Sequence, residues 1–169
     1  TLRYLLSNLY DFDPAKDGAA RKDMLTVDRY ALSSYGRLAE QVRTAYADYD
    51  FQSIFHAINE FVTVDLSAVY LDVSKDRLYT FGAASRERRS AQTAVYVIAD
   101  GLARLLAPIL SITADEIWAR LPGPREASVH LAEFPADAGA WQDEALDADW
   151  QTLLELRDLV NAALEGARQ

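Results

Sequence analysis

Apolar side chains recur along this chain at the three- and four-residue steps of a helix, not at the alternate positions of a strand. Between Thr26 and Tyr49 the stripe is Leu32, Tyr35, Leu38, Val42, Tyr46 and Tyr49. A second stripe, Ile54, Phe55, Ile58, Phe61, Val62, Leu66 and Val69, predicts a helix with Asp50 as its N-cap. Asp65 falls near that apolar face, where an ionised carboxylate needs a charge or hydrogen-bond partner. A third long helix is expected from Ser85 or Arg86 to Ala107, striped by Val95, Ile98, Leu102, Leu105 and Leu106 and ended by Pro108. "TADE", Thr113 to Glu116, reads as a capping box that opens a short helix carrying Ile117 and Trp118.

After the break "LPGPRE", the stretch "SVHLAEFPADAGAW" reads as part of an extended, loop-rich crossing near residues 120–147. A last helix is expected from Ala148 to Ala167 on Trp150, Leu153, Leu156, Val160 and Ala163. Leu2 to Tyr10 reads as the end of another helix, stopped by "DFDP". No repeat, low-complexity segment or strand pattern interrupts this sequence. The fold class expected is all-α, a helical bundle of about four to five main helices forming one domain over residues 1–169.

Composition narrows the picture. The chain has 169 residues, half of them hydrophobic, enough to bury roughly 70% of the surface its unfolded form would expose. It has no cysteine, which excludes disulfides and thiolate metal sites. His56 and His130 lie far apart without ligand spacing, so no metal is expected. No continuous apolar run approaches the roughly 20 residues of a membrane span, and the opening "TLRYLLSNLYDFD" lacks a charged n-region and a cleavage site. A cytoplasmic chain with no membrane partner is expected. There is no glycine-rich phosphate loop, no G-x-S-x-G elbow and no H-E-x-x-H pair, so the chain itself is not expected to be a catalyst.

Charge is unevenly spread. The formal net charge is -9; residues 1–47 carry +1, 48–74 carry -5, 75–104 carry +3 and 105–169 carry -8. The one clearly positive block holds Lys75, Arg77, Arg86, Arg88 and Arg89 around an expected loop, "SKDRLYTFGAAS". Arg86, Arg89, Thr93 and Tyr96 share one helical face, and Arg88 and Gln92 form a neighbouring row. Arginine forks and helix N-termini suit phosphate oxygens, and Tyr79 and Phe81 could stack on unpaired bases. The same residues also fit a structural role, with Arg88 and Arg89 as ion-pair clamps and the two aromatics in the core. The residues alone leave both readings open.

A resemblance bears on the choice. "LSAVYLDVSKDRLY" followed by "RRSAQTAVYVIADGLARLLAPILSITADEIWARLPG" resembles the anticodon-binding helical bundle of isoleucyl-tRNA synthetases. The opening "TLRYLLSNLYDFDP" resembles the segment joining catalytic core to bundle in that family, and "SVHLAEFP" and "LLELRDLVNAALEGAR" continue the likeness, the latter as the last bundle helix. Valyl and leucyl relatives share the bundle and the "TADEIW" corner; the KDRLY and RRSAQT strings favour isoleucine. The resemblance implies a tRNA-recognition module without HIGH-type or KMSKS-type motifs, excised from a ligase, with Thr1 and Gln169 at its ends. The parent enzyme would use ATP with magnesium, and zinc only in regions lying outside this chain. It would partner an isoleucine-accepting tRNA and the rest of its own polypeptide. On this reading Lys75, Arg77, Arg86, Arg88 and Arg89 meet phosphates, and Tyr79 and Gln92 meet bases.

Overall fold

The computed structural model describes residues 1–168, with the side chain of residue 168 left aside. Among the described residues there is no strand, and the fold is all-α. Short helices α1 (Leu2–Ser7) and α2 (Pro14–Asp17) lead into α3 (Thr26–Ala47). A continuous helix α4 then runs over Phe51–Thr80. Next come α5 (Arg86–Leu106), α6 (Ser111–Trp118) and, after a crossing with two short 3-10 turns, α7 (Glu144–Arg168). Helices α3, α4 and α5 pack on one another. Leu32, Tyr35 and Val42 of α3 meet Ile54 and Leu66 of α4 and Val95 and Ile98 of α5, all but fully buried.

Local chemistry sets the ends. Asp50 caps α4, accepting from the Ser53 backbone N–H at 3.0 Å, and Ser85 caps α5 through the Arg88 N–H at 3.3 Å. Pro14 stands at the first turn of α2 behind the Asp13 cap. Helix α3 stops at Ala47 in a Schellman arrangement. The Asp50 N–H donates to the Ala45 carbonyl and the Tyr49 N–H to the Tyr46 carbonyl, at 2.8 and 3.2 Å. Tyr49 holds the left-handed position, φ 57°, usually given to glycine. It therefore faces solvent rather than completing the α3 stripe.

Helix α4 departs most from the sequence pattern. Its middle, Phe61–Leu71, is a π-helix, so the buried step from Phe61 to Leu66 is five residues before Tyr70, Ser74 and Leu78 resume α spacing. Before the π-helix, Ile54 and Ile58 take the buried face and Phe55 stands outward at 65% exposure. Helical structure also persists to Thr80, where a loop from Ser74 was expected; only Phe81–Ser85 separates α4 from α5. By length and composition α4 could cross a membrane, with an 18-residue window of mean hydropathy 1.2, although Glu60, Asp65 and Asp72 interrupt the helix and leave no continuous apolar run. Nearly half of that window, 44%, is buried inside the bundle, which accounts for its apolarity as a core helix.

Smaller corrections follow the same logic. Helix α6 begins at Ser111, so Thr113 lies inside it and caps nothing. Asp115 of "TADE" instead reaches the crossing, accepting from the Ser128 hydroxyl at 2.7 Å and the Val129 N–H at 3.0 Å. These bonds hold its carboxyl below the ordinary value. Helix α7 starts at Glu144, earlier than expected, because Asp143 and Asp147 dock on α3. The Asp143 N–H donates to the Ser33 hydroxyl at 2.9 Å, and Asp147 takes Arg37 and Ser33. Asp65 is half-buried without the expected hydrogen bond or ion pair among the described residues. Burial raises its carboxyl, opposed in part by the charge of Arg37.

At the centre lies a buried carboxylate. Asp28 of α3 is fully buried. It accepts two hydrogen bonds from Arg77 at 2.8 and 2.9 Å, one from the Tyr70 hydroxyl at 2.8 Å and one from the Ser90 hydroxyl at 2.5 Å. All three long helices meet there.

Asp28→Ala is expected to strand Arg77 and to cost roughly 3–5 kcal/mol, read as a lowered denaturant midpoint. Asp65→Asn is expected to stabilise. A carboxyl raised in the fold costs stability as pH climbs above its unfolded value of 3.8 and through its higher folded value. The gain should therefore be absent in strong acid and reach its full size by neutral pH. Equal midpoints at neutral pH would contradict this.

Candidate nucleic-acid interface

The basic window does not form one outward patch. Arg77, at 11% exposure, spends its fork on Asp28 and also donates to the Ser74 hydroxyl and the Glu87 carbonyl. Arg88, at 6%, makes a bidentate pair with Asp11 at 2.5 and 3.0 Å and donates to the Leu78 carbonyl at 3.1 Å. Arg89 donates to the Asp11 carbonyl at 3.0 Å and to Gln92 Oε1 at 2.8 Å, and pairs with Asp17 at 3.4 Å. Gln92 is fully buried and donates to the Asn8 carbonyl and to Asp11.

These contacts tie the segment between α1 and α2 onto α5. Burial alone would raise the Asp11 carboxyl, but hydrogen bonds from Arg88 and Gln92 and the charges of Arg88 and Arg89 outweigh it and hold it low. A carboxylate depressed in this way adds stability above its unfolded pKa, lost as pH falls through the folded one.

Three of the expected contact residues face outward. Lys75 is exposed on α4, its ammonium 2.9 Å from Asp72. Tyr79 is 63% exposed and meets the Tyr4 ring edge to face at 6.0 Å. Arg86 is exposed at the first position of α5, where its Nε donates to the Asp23 carbonyl at 3.0 Å. Lys75 and Tyr79 share a groove of about 360 Å³ with Thr1, Tyr4, Ser67 and Asp72. Phe81 is exposed in the short loop that follows. Thus Lys75, Tyr79 and Phe81 lie close together, with Arg86 across the loop, whereas Arg77, Arg88, Arg89 and Gln92 belong to the interior scaffold.

Sequence reasoning passed over Tyr4 and Tyr10. Tyr10 is 82% exposed beside the Arg88 guanidinium, whose carbon lies 5.9 Å from the ring centroid. The signal was available in "RYLLSNLYDFD", where two tyrosines six residues apart fall in a short helix and the turn after it. Among the described residues no group of three or more His, Asp or Glu is placed to hold a metal.

This chain belongs to the anticodon-binding domain family of tRNA ligases: residues 28–169 match the anticodon-binding domain of tRNA ligase. Within the family its similarity runs to proteins named isoleucine–tRNA ligase. That of Moorella thermoacetica is 51% identical over 171 residues, covering 100% of this chain. That of Syntrophotalea carbinolica is 51% identical over 168 residues and that of Coxiella burnetii 49% over 172, each covering 99% of this chain. The chain spans 18% of the length of each of these relatives, and the part it matches is the anticodon-binding domain rather than a catalytic one.

The division of the cations gives a direct contrast. Arg88→Ala is expected to destabilise the fold toward the low end of roughly 3–5 kcal/mol, because Asp11 keeps some solvent. Arg86→Ala should stay within about 0.5 kcal/mol of the parent. Denaturant unfolding of both variants checks this, and equal losses would refute the assignment.

Proposed function

We propose that this chain is the anticodon-arm recognition module of an isoleucine–tRNA ligase. The observation that carries the reading is the similarity to isoleucine–tRNA ligases from end to end of the chain. Its partner is an isoleucine-accepting tRNA. Aminoacylation with ATP and magnesium belongs to parts of the ligase outside this chain, as does any zinc, and the whole works in the cytoplasm. The rest of the ligase polypeptide is the second partner. Supporting that, α7 carries an exposed apolar row, Leu153, Leu156 and Val160. A mainly apolar groove beside Thr1 and Leu2, lined also by Phe55 and Ile109, lies at the opposite end of the sequence.

In this reading Lys75 and Arg86 meet phosphates, and Tyr79, with Phe81 beside it, offers rings to unpaired bases. Lysine and arginine at a rim attract phosphate through charge, and the strongly acidic remainder, -8 over residues 105–169, repels RNA from other docking orientations. Arg77, Arg88, Arg89 and Gln92 act as positioning residues. They fix the α4–α5 loop and the segment that enters the bundle, so that the outward groups hold their spacing.

Binding of isoleucine tRNA, and of the same tRNA with an exchanged anticodon, should be followed across a salt series. The native anticodon should bind more tightly, with affinity falling as salt rises. Lys75→Ala and Arg86→Ala should each flatten the slope of log K against log salt by about 0.7 while leaving the fold intact. Equal affinity for the two tRNAs, or slopes unchanged in both variants, would overturn the reading.

A further inference from the structure

A second cleft, of about 420 Å³, opens farther along α5 from the basic junction's clamp. Tyr96, Asp100 and Arg104 step by four along α5 to form one wall. Trp118 of α6 and Trp141 of the crossing form others. The Arg125 guanidinium lies 4.6 Å from the Trp118 ring centroid and is locked there by bonds to the Pro122 carbonyl at 2.6 Å and to Asp100 at 3.3 Å. The Trp118 indole N–H is held by the Glu126 carbonyl at 2.9 Å. These side chains are fixed in place by hydrogen bonds to neighbouring residues.

The floor is less easily explained by packing. Tyr35 is 2% exposed, yet it lines the cleft, and its hydroxyl makes no hydrogen bond among the described residues. Gly101 makes room for it: a Cβ at that position would overlap the Tyr35 hydroxyl. The hydroxyl is not sealed from solvent; it opens at the floor of the cleft, where a ligand atom can bond it. Arg104 and Arg125 both pair with Asp100, and Asp137 and Glu126 also line the cleft, a balance one charge negative, which disfavours phosphate. Aromatic walls, fixed donors and acceptors and a free hydroxyl suit a flat, uncharged ring with polar edges.

We propose that this cleft holds one unpaired nucleobase of the bound RNA, stacked among Trp118, Arg125 and Trp141 and hydrogen-bonded to the Tyr35 hydroxyl. The proposal rests on the RNA-binding reading above and adds to it a base site distinct from Tyr79. Arg86 and Tyr96 stand ten residues apart on α5, about 15 Å along its axis, with Asp17 docked on Arg89 and Ala19 on Thr93 between them. The cleft therefore takes a base from a different nucleotide than the one whose phosphate meets Arg86.

The test pairs this chain and its Tyr35→Phe variant with stem-loop RNAs of the isoleucine anticodon arm, each with a single abasic position in the loop. Tyr35→Phe removes only an unpartnered hydroxyl, so its unfolding midpoint should not fall. The intact loop should bind the variant about three- to tenfold more weakly. One abasic RNA should lose about ten- to a hundredfold and should no longer distinguish variant from parent. If every RNA binds variant and parent in the same ratio, the cleft is not a base site, although the RNA-binding reading survives. If no RNA binds, that earlier reading fails and tryptophan fluorescence decides the cleft alone. Quenching by free nucleosides that weakens in Tyr35→Phe would sustain the base site, and no quenching would overturn it.

Discussion

Everything in this bundle is arranged around one buried carboxylate. Asp28 has no exposed surface, and a charge in that position persists only if it is fully paired. Arg77 supplies a bidentate fork, and Tyr70 and Ser90 complete the shell. Because these groups come from α4 and α5 while Asp28 sits on α3, satisfying one charge fixes the relative register of three helices. Apolar packing supplies most of the stabilisation, but it is non-directional; the carboxylate supplies direction. The π-helical stretch of α4 fits this requirement. It advances the buried face by five residues between Phe61 and Leu66, so that Tyr70, Ser74 and Arg77 arrive together beside Asp28.

A second pairing, Asp11 with Arg88 and Gln92, extends the same principle to the segment that enters the bundle. The result explains why an acidic chain gathers cations in one place. Three of the five pair with the buried Asp28 or the partly buried Asp11 and Asp17, and what remains outside is a sparse rim of Lys75, Arg86 and exposed aromatic rings. A rim of this kind gives modest, salt-dependent attraction.

The helices were legible because their stripes are strong. Leu32, Tyr35 and Val42, and Val95, Ile98 and Leu102, are buried as their spacing predicts. Boundaries set by caps were legible only where the cap is local, as at Asp50. The π-helix was not, since a five-residue step between apolar residues looks like ordinary scatter against a period of 3.6. Nor was the Tyr49 stop, which puts an aromatic where glycine is the usual signal. The site was half legible. Spacing put Arg86 and Arg89 on one face, yet what separates them is a carboxylate far away in sequence. Asp11 and Asp17 reach Arg88 and Arg89 across more than 70 residues, a pairing that no local pattern encodes. Asp65 illustrates the reverse case, a half-buried acid for which the fold supplies no partner.

The central claim is that RNA meets the outward remnant of the basic window while its clamped arginines stay within the fold. Mapping amide and arginine side-chain NMR shifts of the chain on addition of the isoleucine anticodon stem-loop addresses this residue by residue. The account predicts large shifts at Lys75, Tyr79 and the Phe81–Arg86 loop, with the Arg77 and Arg88 guanidinium signals unmoved and still protected from exchange. Shifts confined to α3 and α7, or release of the Arg88 signal from its Asp11 partner on binding, would contradict it.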